Sequence, residues 1–137
     1  MNAAVAAFER DWPEARINSI LEDGLFDWIR DTGGVVPEMH DAFERLTDYA
    51  VGRGADGILY SCSAFRECID PCIEKHKLPM LKPNDAMIES ALETGDRIAI
   101  LATVGPTISS ISAEIEEMAQ LQNRTVTLVP HMIENAF

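Results

Sequence analysis

The sequence is poor in cysteine, in basic residues and in long apolar runs. Its 137 residues include three cysteines at irregular spacing. That number and spacing do not make a disulfide framework, so a cytoplasmic, reducing location is predicted. Lysine and arginine number 11 against 23 acidic residues, a formal net charge of -12. This balance argues against nucleic acid and anionic membranes as partners. No run could span a bilayer, and residues 1–5 lack the pattern of a signal peptide.

The remaining composition is that of a globular domain with alternating helices and strands. Hydrophobic residues make up 47% and charged residues 25%, enough for a sizeable core. Helices are predicted over residues 2–10, around 25–29, from 37, after 64, over 85–94 and after 107. Strands are predicted over residues 16–21, 58–60, 78–82, 97–102 and 125–129. This alternation predicts an α/β fold with a parallel sheet.

Residues 54–70, GADGILYSCSAFRECID, contain the first candidate for chemistry. A buried strand is predicted to end at Cys62, and a helix to begin directly after it. Ligands of open parallel sheets bind where strands end and helices begin. A thiol at a helix N-terminus tends to ionise, and the free N–H groups there can bind a carboxylate. The alternative is a buried Cys62 that only ends the strand.

Cys68 and Cys72 lie four residues apart on the following helix, as metal ligands sometimes do. They share a face with Ile69 and Ile73, which favours small core residues instead. A zinc site needs three or four ligands. His76, the nearest histidine, is predicted to lie in solvent at the helix end, so no metal site is predicted.

Residues 103–107, TVGPT, form a second predicted strand-to-helix turn. The strand before it, residues 97–102, is predicted to be buried. The helix after it is predicted to bury Ile108, Ile111, Ile115 and Met118 and to expose Glu114, Glu116 and Glu117. Thr103 and Thr107 could be mere helix caps, or they could face Cys62 across a cleft.

Three segments, ADGILYSCSAF, LPMLKPNDAMIESAL and GDRIAILATVGPTISSISAEIEEMA, resemble the aspartate/glutamate/hydantoin racemase superfamily. The resemblance implies two flavodoxin-like lobes with a cleft between them. Residues 1–95 would be the first lobe and residues 96–137 the beginning of the second. Typical members need no cofactor or metal.

The resemblance also implies the chemistry. Family members use two cysteines, one per lobe, to remove and return the proton α to a carboxylate or carbonyl. Carried over, Cys62 is the first-lobe acid/base, and Ser63, Ala64, Thr103 and Thr107 contact the carboxylate of an amino-acid-like substrate.

Two family elements have no counterpart in this sequence. The strand before the first helix is missing, and so is the half of the second lobe that carries the second cysteine. We therefore expect an incomplete racemase-like fold whose open strand edges favour a homo-oligomer. Two hypotheses follow: an isomerase acting on amino acids or hydantoins, or a non-catalytic remnant that binds a small carboxylate or a partner subunit.

Overall fold

A computed structural model describes residues 2–103 and 105–133 of the chain. Within these ranges the fold is α/β, with six α-helices and short strands in two small sheets. The chain divides into two compact units, Met1–Met80 and Leu81–Phe137. The α/β class predicted from the sequence is confirmed, while the flavodoxin-like lobes of a racemase and their boundary at 95/96 stay predictions. No helix in the described ranges combines the length and apolarity needed to cross a membrane.

The first unit is mainly helical. Its elements are α1 (Asn2–Asp11), α2 (Gly24–Thr32), α3 (Pro37–Gly52), β1 (Ile58–Leu59), a 3-10 turn (Ser63–Phe65) and α4 (Arg66–Lys75). β1 pairs with β2 (Met80–Leu81), the strand in which the division between the units falls. Pro37 begins α3, where its fixed φ suits a helix and its missing N–H costs nothing. Gly33 ends α2 with φ of 73°, a conformation that glycine adopts without strain.

The core of the first unit is formed by α2, α3, the 3-10 turn and α4. Its buried side chains are Leu25, Met39, Phe43, Phe65, Cys68, Ile69 and Cys72. On α3 the buried side chains Met39 and Phe43 are four residues apart and share one face. Each large apolar side chain buried here contributes roughly 1.5–3 kcal/mol to the hydrophobic stabilisation.

The second unit is a helix–strand–helix–strand arrangement. Its elements are α5 (Asp85–Thr94), β3 (Arg97–Ala102), α6 (Gly105–Leu121) and β4 (Thr127–Met132). β3 and β4 are parallel, with Arg97 opposite Thr127 and Ala102 opposite Met132. One face of this sheet packs on both helices through Ile88, Leu92, Ile98, Ile100, Ile115 and Ala119.

The prediction that β3 is a buried strand holds for only one of its two faces. Ile98, Ile100 and Ala102 are buried, but Leu101 is 65% exposed. Successive side chains of a strand point to opposite faces, and α5 and α6 cover only one face. Parallel sheets are usually covered on both faces, whereas this sheet is open on one side. His131 lies within β4, opposite Leu101.

The strand predicted over residues 16–21 is also absent. The segment is exposed, and its backbone forms no backbone hydrogen bond with any described residue. Ile17, Ile20 and Leu21 are 39%, 44% and 67% exposed. Apolar and β-branched residues favour a strand, but a strand also needs a neighbour to pair with.

Candidate functional site

Cys62 lies in a short connection between β1 and the 3-10 turn. Its backbone is extended, with φ of -124° and ψ of 118°, and its thiol is free and exposed. The predicted strand-to-helix connection is present. However, α4 begins only at Arg66, so the 3-10 turn separates Cys62 from the first turn of the α-helix.

Two aromatic side chains hold this connection at its ends. The centroid of the Tyr60 ring lies 6.3 Å from the centroid of the Phe43 ring. The centroid of the Phe65 ring lies 5.1 Å from that of the same Phe43 ring. The Tyr60 hydroxyl is hydrogen-bonded to the Thr47 hydroxyl at 2.9 Å. Burial raises the pKa of Tyr60 to about 12, so its phenol stays protonated near neutral pH. Cys62 is therefore an exposed residue between two fixed ones.

The residues after Cys62 offer backbone groups more than side chains. Ser63 is half-buried, and its carbonyl accepts a hydrogen bond from the N–H of Arg66. Ala64 is exposed. No side-chain cap is present at the start of the 3-10 turn or of α4. N–H groups at such a start carry partial positive charge and are suited to an anion.

Cys68 and Cys72 are core residues, as predicted. They are 1% and 2% exposed, and the Cys72 thiol donates to the Cys68 carbonyl at 3.2 Å. Burial, the largest cause, raises the pKa of Cys68 to about 11. Neither thiol can reach a ligand on the surface. Among the described residues, no three potential metal ligands lie close together.

Thr103 and Thr107 belong to the second unit, whereas Cys62, Ser63 and Ala64 belong to the first. Thr103 is exposed in the bend after β3, and Thr107 is half-buried in the first turn of α6. β3 ends at Ala102 and α6 already begins at Gly105, so residues 105–107 of the predicted turn are helical. Val104 lies outside the described residues, and the arrangement of both threonines across a cleft from Cys62 stays a prediction.

Glu114 corrects the prediction for the outer face of α6. Its side chain is 6% exposed rather than facing solvent. One carboxylate oxygen accepts from the Ser110 hydroxyl at 3.2 Å and the other from the Asn84 amide at 3.1 Å. Buried carboxylates need such partners because an isolated buried charge is costly. The signal was available: Glu114 is three residues after Ile111 and four before Met118, so it shares their face.

His76 was also predicted wrongly. It follows the end of α4, but its side chain is 14% exposed and its Nε2 lies 2.9 Å from Asp48 of α3. Lys75 donates to both oxygens of Asp48, at 3.0 and 2.9 Å, and also to Glu44. The hydrogen bond from Lys75 is the largest of the causes that lower the pKa of Asp48. This polar cluster ties α4 to α3 at the end opposite the start of α4.

No protein-family model, curated protein or solved structure matches the chain.

Proposed function

We propose that the chain is a cofactor-independent racemase- or epimerase-like protein. In it, Cys62 transfers a proton at the carbon α to a carboxylate or carbonyl. The observation that supports this proposal best is the contrast among the thiols. Cys62 is exposed between two anchored aromatic residues, whereas Cys68 and Cys72 are buried. A base must reach the C–H bond, and its position must be fixed.

The reaction starts with the Cys62 thiolate. Its sulfur takes the α-hydrogen as a proton, and the electron pair of the C–H bond passes into an enediolate. The carboxylate oxygens take up that charge, so donors aimed at them lower the barrier. In this proposal the backbone N–H groups of residues 63–65 are such donors. The exposed neutral thiol exchanges its proton with water and then returns a proton to carbon.

A single base returns the proton to the face from which it came. Inversion requires a second acid on the opposite face, and the buried thiols of Cys68 and Cys72 cannot supply one. In this proposal the second acid comes from another subunit. The isolated chain should therefore exchange the α-hydrogen with solvent and retain the configuration.

Exchange and inversion can be measured side by side. Amino acids and hydantoins are incubated in deuterium oxide, the α-proton signal is followed by NMR, and enantiomers are separated by chiral chromatography. Cys62→Ala should lower the exchange rate by about 10²–10⁴-fold, the usual contribution of a positioned base. Ser61→Ala changes an exposed neighbour and should leave the rate unchanged. Equal exchange rates in the wild type and Cys62→Ala would refute the proposal.

A second candidate function is binding without turnover. The chain has a single exposed cysteine, whereas members of the racemase superfamily that it resembles use two. This difference favours binding without turnover. In this case the turn after Cys62 binds a small carboxylate, or a partner subunit, and moves no proton. Saturable binding of a carboxylate with no exchange on any substrate would favour this candidate.

A further inference from the structure

A groove lies between α2 and α3 in the first unit. It has a volume of about 470 Å³, within the range of small-molecule sites. Its apolar lining consists of Leu25 and Trp28 from α2 and of Ala42 and Leu46 from α3. All four belong to the core of the unit or pack against it, so the wall is held in place by the core. Cys62 is not part of this lining.

Two side chains of opposite charge complete the groove. Arg45 projects from α3, and Glu22 comes from the segment before α2. A carboxylate oxygen of Glu22 lies 2.9 Å from the point that a Cβ on Gly24 would occupy, so this side chain folds back over the start of α2. Neither Arg45 nor Glu22 forms a hydrogen bond or ion pair with a described residue. Both charges are thus available to a ligand.

We propose that this groove binds an apolar α-amino acid as its zwitterion. The ligand carboxylate pairs with the Arg45 guanidinium, a planar fork that matches carboxylate geometry. The ammonium group pairs with Glu22, and the apolar side chain lies against Trp28 and Leu25. A ligand with only a carboxylate would meet the negative charge of Glu22. A ligand with only an amine would meet Arg45. The combination of two charges and an apolar wall selects a molecule that carries both.

This inference goes beyond the proposed reaction at Cys62 and does not depend on it. Its readout is binding, which a protein without turnover would show equally. If only the exchange experiment failed, the proposal for the groove would therefore stand. If only leucine binding failed, the proposed reaction at Cys62 would stand.

The test uses the two tryptophans as paired reporters. Trp28 lines the groove, whereas Trp12 follows α1 and contacts Phe8. Leucine is titrated into ¹⁵N-labelled protein, and the two indole N–H signals are followed, with Trp12→Phe used to assign them. The Trp28 signal should shift in a saturable way, with a dissociation constant on the order of 1 mM for so small a ligand. The Trp12 signal should stay in place.

Two analogues test the charges separately. 4-Methylpentanoate lacks the ammonium group of leucine, and 3-methylbutylamine lacks its carboxylate. Each should bind roughly fivefold more weakly, the upper range for an exposed ion pair. Arg45→Gln should weaken leucine binding by a similar factor without affecting the amine, and Arg45→Lys should restore part of it. Arg53→Gln removes an exposed arginine outside the groove and should change nothing.

Three results would overturn the proposal. One is the absence of a saturable Trp28 shift with leucine. Another is that the Arg45→Gln variant binds leucine as strongly as the wild type does, while the NMR spectrum of the variant shows a folded protein. The third is binding of 4-methylpentanoate as strong as that of leucine, which would show that Glu22 contributes nothing.

Discussion

Iodoacetamide should alkylate Cys62 much faster than it alkylates Cys68 or Cys72. Only the thiolate reacts. With a pKa of about 11, Cys68 in the folded protein is ionised to roughly one part in 10³ at about pH 8. A free thiol of pKa about 8.5 is ionised to about one quarter under the same conditions.

Access sets a second limit for the buried thiols. Cys68 and Cys72 are 1% and 2% exposed, so the reagent reaches them only when the core opens. Opened populations of stable domains are on the order of 10⁻³–10⁻⁶. In the open state the thiol regains ordinary reactivity, so the two limits are alternative routes and are not multiplied. Either route leaves Cys68 at least about 10²-fold slower than the exposed Cys62.

Mass spectrometry of quenched samples gives the rate at each cysteine. Strong denaturant should make the three rates similar, which serves as the positive control. Cys62→Ser should give a folded protein that hardly reacts. Labelling of Cys68 within tenfold of Cys62 in the folded protein would refute both the buried position of Cys68 and the reasoning from it.

Two further predictions concern stability. Ile100→Ala should lower the free energy of unfolding by about 2–5 kcal/mol because it leaves a cavity. Leu101→Ala on the open face should change it by less than about 0.5 kcal/mol. If urea denaturation gave similar losses for both variants, the one-sided burial of β3 would be contradicted. The pKa of Asp48 is lowered chiefly by the hydrogen bond from Lys75, so the stability it provides is present above its unfolded pKa and is lost as the pH falls through its folded pKa. Asp48→Asn should therefore reduce the loss of stability between neutral and about pH 3, and identical pH dependence in variant and wild type would count against this pairing.

Elements with local signals could be predicted from the sequence. The predicted bounds of α5 match the structure, because Asn84 precedes the helix and Gly95 ends it. The Asn84 side chain, however, makes no capping hydrogen bond and donates to Glu114 instead. That contact spans 30 residues, and a local pattern cannot reveal it.

Features that depend on distant partners could not be predicted. Residues 16–21 have the composition of a strand, but whether they form one depends on a neighbour. The connection around Cys62 was recognisable from its apolar strand and the helical pattern after it. Its support by Thr47, 13 residues before Tyr60, was not, since the hydroxyl contact depends on how α3 packs.

The parallel pairing of β3 and β4 has a consequence for the order of folding. The strands are joined through α6, and Arg124 closes this connection by donating to the carbonyl of Leu92 and to Asp96, residues 32 and 28 positions away. Closing a loop of about 30 residues costs roughly 3 kcal/mol of chain entropy before any strand contact forms. A helix such as α6 forms from neighbours and needs no such closure. We therefore expect α6 to form early and the β3–β4 sheet to form late, as the rate-limiting event in the folding of the second unit.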